Sequence, residues 1–142
     1  MLRYFLASSA IAVAAVGCGG QGKVAHVSGI VTLNGKPAPD VAVTFQPVVV
    51  DGNNSPGPAA FGVTGSDGRY VAKLITGEAT GATVGKNQVR FSAYVPVDPN
   101  YEGPPKTKPK VNIPSRYWSE SGIEFDVPPK GTSSADFQLT SP

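Results

Sequence analysis

Few side chains in this 142-residue chain are of types that do chemistry, and they are scattered. There is one histidine, His26, and one cysteine, Cys18. A lone histidine offers neither a metal-ligand set nor a nucleophile–base pair, so His26 reads as a surface or edge-strand residue. Asp51, Asn53 and Asn54 carry the oxygens that calcium takes. The EF-hand spacing is absent and no acidic residue closes the loop, so the run reads as a turn. Gly81-Ala82-Thr83-Val84-Gly85-Lys86-Asn87 has the outline of a phosphate loop. Thr80 stands where its first glycine belongs, and Asn87 where a hydroxyl would hold magnesium, so this too is a turn feeding a strand. No Gly-x-Ser-x-Gly, His-Glu-x-x-His or clustered carboxylate pair is present. The expectation is a non-enzyme with no metal and no cofactor. What remains is a group of aromatic and basic residues: Tyr94, Tyr101, Lys106, Lys108, Lys110 and Trp118. Rings that stack and ammonium groups that donate suit sugars, anionic polymers or peptide segments.

Cys18 stands apart from that group. Arg3 gives a short positive start, Phe5 to Val16 is an apolar run of small residues, and Gly17-Cys18 ends it. The run is too short for a membrane-spanning helix and reads as a signal peptide. Ala15-Val16-Gly17-Cys18 resembles a bacterial lipobox, with Ala15 in place of the usual leucine. The chemistry needs a thiol for thioether attachment to diacylglycerol and a small residue before it to fit the peptidase. The expected organisation is therefore a signal peptide over 1–17, a lipidated glycine-rich tether over 18–23, and one domain over 24–142. Attached acyl chains would hold the protein on a membrane in the cell envelope, with the domain in the periplasm or at the cell surface. Gly19 lacks the aspartate that signals inner-membrane retention in some bacteria, which points to the outer membrane.

Formal net charge is +2, and loss of Arg3 brings it nearer to neutral, without the basic stripe of a nucleic-acid binder. With Cys18 acylated no thiol remains for a disulfide, and a domain of this size folds without one. Seventeen glycines and 14 prolines exclude a helical bundle and fit short strands with many turns. A monomer is expected.

Period-two alternation supplies the strands. Val27, Gly29, Val31 and Leu33 share one face, and Val41, Val43 and Phe45 alternate with Ala42, Thr44 and Gln46. Between them Asn34-Gly35 tolerates positive φ, and Pro37 and Pro39 stiffen the connection. Ala60–Val63 follows as a short strand, then the Thr64–Gly68 turn. Tyr70, Ala72 and Leu74 alternate with Val71, Lys73 and Ile75, a pattern expected to be covered on both faces. Val89, Phe91, Ala93 and Val95 oppose Gln88, Arg90, Ser92 and Tyr94 in the longest strand, which Pro96 ends. Residues 97–122 form a proline-rich irregular insertion, the best place for binding. Ile123, Phe125 and Val127, then Ala135, Phe137 and Leu139, are expected to form a terminal hairpin. The total is about seven strands in an all-β sandwich.

Gly29-x-Val31-x-Leu33-x-Gly35-Lys36-Pro37-x-x-x-Val41-x-Val43-x-Phe45, followed by Thr64-Gly65-Ser66-Asp67-Gly68-Arg69-Tyr70, resembles the carboxypeptidase regulatory-like domains. Ile113-Pro114-Ser115-Arg116-Tyr117 is similar to a segment of short bacterial lipoproteins built from one such domain. The resemblance covers about Val24 to Leu139 and implies a transthyretin-like (prealbumin-type) β-sandwich. Its motifs belong to turns and core and carry no activity. Transthyretin-like hydrolases need several histidines, and zinc carboxypeptidases hold their metal in another domain, so neither residue set transfers. The expected role is a non-catalytic, membrane-anchored interaction or structural module whose partner is an envelope protein or polysaccharide. The alternative is a carbohydrate- or peptide-binding domain using the 97–122 loop and its aromatics.

Overall fold

A computed structural model describes residues 22–142 apart from 51, 53, 54, 78, 106, 120 and 121. In chain order the strands are β1 (Val24–Ala25), β2 (Ser28–Leu33), β3 (Lys36–Pro37), β4 (Val41–Pro47), β5 (Ala60–Val63) and β6 (Arg69–Val71). There follow β7 (Lys73–Leu74), β8 (Ala82–Thr83), β9 (Gly85–Ala93), β10 (Ile123–Val127) and β11 (Phe137–Leu139). A single 3-10 turn, Ser115–Tyr117, precedes β10, and no α-helix occurs among the described residues. The strands of three residues or more are those that carry the alternations visible in the sequence.

Five strands form an antiparallel sheet in the order β10-β9-β4-β5-β7. A second sheet is built on β2, with β11 parallel along one side and β3 and β6 antiparallel to it. Val31 shows that β3 and β6 share the other side. Its N–H donates to the Gly68 carbonyl at 2.9 Å, and its carbonyl accepts from the Ala38 N–H at 3.0 Å. β1 and β8 form a separate two-stranded ladder.

The inward residues of β4 (Val41, Val43, Phe45) and β9 (Val89, Phe91) are fully buried, as their alternation requires. Across the core, Phe91 and Phe45 meet Phe137 of β11 with ring centroids 5.0 and 6.3 Å apart, and Phe45 meets Tyr70 of β6 at 6.2 Å. Rings from two sheets therefore interleave in one apolar layer, consistent with a β-sandwich. Tyr70 donates its hydroxyl to the Ala135 carbonyl at 2.7 Å, and burial, with the Asp136 charge second, pushes its phenol strongly upward. Gly29, paired with Tyr70, lies under that bond. A Cβ there would fall 2.0 Å from the Ala135 oxygen, so this motif glycine answers to a close approach of backbone.

Three expectations are corrected. Asn34 (φ 51°) and Gly35 (φ 80°) do make a tight hairpin, but its second arm is the two-residue β3. Pro37 and Pro39 limit that ladder, and the chain crosses at Asp40, itself at φ 51°, to begin β4 in the other sheet. Thr64 holds the crossover: its buried hydroxyl donates to the Ala38 carbonyl at 2.6 Å and accepts from the Val41 N–H at 2.9 Å. Second, the 123–127 and 137–139 runs form no hairpin. β10 pairs β9 and β11 pairs β2, because the Pro128–Gly131 turn and the segment after it carry the chain between sheets. Third, Tyr70, Ala72 and Leu74 are buried whereas Val71, Lys73 and Ile75 are exposed. That run is covered on one face only and changes sheets at Ala72, with β6 on β2 and β7 on β5.

Candidate functional site

The chain between β9 and β10 leaves the sandwich and comes back to it. Tyr94 is tied to the crossover by its N–H, which donates to the Asp40 carbonyl at 2.7 Å. Residues 97–105 then run along the surface, turned by Asp98, which accepts from the Asn100 and Tyr101 N–H groups at 2.9 and 3.0 Å. Lys110 brings the chain back through an ion pair with Asp40, Nζ to Oδ2 2.8 Å. From there the segment packs. Ile113 is 6% exposed, Val111 is half-buried against the core, and the Tyr117 ring stands edge-on to Phe91, centroids 6.3 Å apart.

Arg116 and Tyr117 clamp this return to the end of the chain. The Tyr117 hydroxyl accepts from the Thr140 N–H at 3.0 Å and from the Arg116 guanidinium at 3.2 Å. Arg116 also donates to the Thr140 hydroxyl at 2.9 Å and to its carbonyl, and its guanidinium carbon lies 4.8 Å from the Tyr117 centroid. Hydrogen bonds with Thr140, through its side chain and then its backbone, and the Arg116 charge favour the phenolate. They outweigh partial burial and hold the Tyr117 phenol down at about 8. The Ile-Pro-x-Arg-Tyr segment is thus a latch. Trp118 follows it directly, its N–H bonded to the Ser115 carbonyl at 3.1 Å while the residue is 52% exposed.

Three adjoining clefts line the inner side of this excursion. One of about 270 Å³ is bounded by Pro96, Val97, Tyr101, Pro105 and Thr107. The next, about 230 Å³, shares Pro96 and Thr107 with it and adds Asp40, Tyr94, Lys108 and Lys110. The third, about 530 Å³, shares Lys108 and extends over Ser92, Ala93, Val111, Asn112 and Ile113 to Trp118. Tyr94, Tyr101, Lys108, Lys110 and Trp118, dispersed in sequence, therefore border one continuous surface. Lys106 and Cys18 lie outside the described residues, as do Asp51, Asn53 and Asn54. Lys110 is committed to Asp40, whereas Lys108 makes no ion pair among the described residues. Sequence reading overlooked Asp40, which belongs to a turn far along the chain, and Asn112 and Ser92, polar residues on rims that only the return of the loop creates.

His26 is exposed, its Nε2 3.1 Å from the Ser28 hydroxyl. The 81–87 run forms β8 and the start of β9. There the Asn87 amide donates to the Thr83 and Gly85 carbonyls at 2.8 Å each, its side chain buried instead of facing a ligand. No group of three or more His, Cys, Asp or Glu residues gathers among the described residues, and no helix among them is long and apolar enough to cross a membrane. Compared with known proteins, the chain matches no family model, no curated protein and no solved structure.

Proposed function

We propose that this chain is a lipid-anchored module of the bacterial cell envelope that works by binding and carries out no reaction of its own. The observation that carries the reading is the 94–118 surface. Exposed aromatic residues and a lysine surround adjoining clefts on a segment whose far end is latched to the sandwich. Ligand-holding side chains on a loop anchored to a rigid sheet are the usual way a β-sandwich binds a partner. The apolar run ending at Cys18 supports the anchor, and the glycine-rich 19–23 stretch supports a tether. The turn and core motifs, together with two sheets sharing an aromatic layer, support a transthyretin-like architecture of the carboxypeptidase regulatory-like type over 24–142.

Two measurements test the proposal. Intact mass of protein extracted from membranes is expected to begin at Cys18 and to include added acyl mass; a soluble mature chain with a free Cys18 thiol refutes the anchor. Photo-crosslinking in intact cells from position 118 is expected to capture an envelope component that a photo-probe at Lys36, on the β3 hairpin, does not. Equal labelling from both positions refutes a binding role for the loop.

A further inference from the structure

We propose that the cleft between Lys108 and Trp118 takes an acidic polysaccharide, one sugar ring lying on the Trp118 indole while Lys108 pairs with its carboxylate. This rests on the binding role above and assigns it a ligand class. At about 530 Å³ the cleft falls within the size range of small-ligand sites, ~300–1,000 Å³. Its wall is Trp118, a residue about half exposed yet carried on a base held by the Ser115 carbonyl, by Phe91 beneath Tyr117 and by Thr140. A flat side chain with two χ angles on a fixed backbone loses less conformational freedom on binding than a long flexible one, which favours it as a stacking platform. The buried or half-buried apolar residues Ala93, Val111 and Ile113 line its floor, and the exposed polar residues Ser92 and Asn112 line it nearer to solvent.

That division matches a pyranose, which has apolar C–H faces and hydroxyls around its edge. Charge selects the acidic class. Among the described residues lining this cleft there is no carboxylate, and Lys108 is the one cation. In the neighbouring cleft, Asp40 and Lys110 neutralise each other at 2.8 Å. A peptide fits less well. Peptides dock by extending a sheet edge or by burying side-chain anchors in sockets, and Ile113, nearly buried, closes the floor to an anchor.

Trp118 is the only tryptophan in the chain, so its fluorescence reports on the site directly. Full-chain protein in detergent would be titrated with oligo-alginate, a polyuronate, alongside neutral dextran and polyglutamate. The same polymers would be cast in native gels. The expected result is a saturable blue shift and retardation with alginate, neither appearing with dextran or polyglutamate at matched concentration. Trp118→Ala is expected to abolish retardation without lowering the melting temperature, and Trp118→Tyr to keep part of it. Lys108→Gln is expected to weaken binding up to about fivefold, the range of an exposed charge pair, and to reduce its salt dependence. No response to alginate overturns the proposal, as does equal retardation by polyglutamate or undiminished retardation of a folded Trp118→Ala variant. If alginate fails while crosslinking from position 118 still captures a partner, the ligand class alone is wrong. If both fail, the binding role falls with it.

Discussion

The two halves of the excursion between β9 and β10 both contain proline, three in 97–105 and one in 111–118, and both lack strands, yet they behave as different materials. In 97–105 Val97 is 78% exposed, and Asp98 makes local hydrogen bonds to the Asn100 and Tyr101 N–H groups. In 111–118 the apolar residues Val111, Ile113 and Tyr117 lie against the sandwich, and Arg116 and Tyr117 bind Thr140 at the far end of the chain. Prolines deny both halves a β-ladder. They do not deny burial, and burial separates a fixed segment from a loose one. The exposed aromatic best placed to bind, Trp118, belongs to the fixed half.

The contrast can be broken by measurement. Phe45→Ala sets the scale for a residue at the centre of the sandwich and is expected to cost about 3–5 kcal/mol in denaturant unfolding. A loss under about 1 kcal/mol would mean that the aromatic layer is not the core. Ile113→Ala is expected to cost about 2 kcal/mol, the low end for such truncations, because its site lies at the edge of the core and can relax. Val97→Ala, in the outward half, is expected to stay within about 0.5 kcal/mol. Equal effects at 113 and 97 would erase the distinction between the halves.

Tyr117→Phe removes the latch hydroxyl and is expected to cost about 1 kcal/mol, the net worth of an ordinary hydrogen bond. The latch also has a pH signature. In the folded protein the Tyr117 phenol titrates at about 8, below its ordinary value of 10.0. Between those two pH values the unfolded chain binds more protons than the folded one. The part of Tyr117's contribution to stability that is linked to its ionisation is therefore present above pH 10, declines as pH falls through about 8 and is absent below it. Ultraviolet difference absorbance is expected to show one tyrosine ionising near pH 8, lost in Tyr117→Phe and moved upward in Arg116→Gln. If every tyrosine ionises near or above its ordinary value, the hydrogen bonds around Thr140 do not form in solution. The smallest effect belongs to the outward half: replacing 98–105 with a short Gly-Ser linker is expected to leave the melting temperature unchanged. A clear fall, or strong amide exchange protection through 98–105, would show packing where the contrast requires little.

Alternation along the chain was enough to identify the inward faces of β2, β4 and β9, because a strand's two faces follow from local geometry. Asn34-Gly35 was likewise legible as a tight turn, since positive φ is a property of those residues. The basic and aromatic content of the 94–118 region was readable from composition alone. Strand partners were not. The parallel pairing of β11 with β2 joins opposite ends of the chain, and nothing in Phe137-Gln138-Leu139 distinguishes it from the arm of a hairpin. The loop's two characters were hidden for the same reason. Lys110 reads as one more solvated lysine until Asp40 is brought beside it, and Tyr117, which its segment marks for packing back onto the sandwich, gives no local sign that Thr140 and Phe91 are its partners. Local sequence determines what a residue prefers and which way it faces; what it meets is decided by contacts between distant segments, which exist only once both sheets have closed around the aromatic layer.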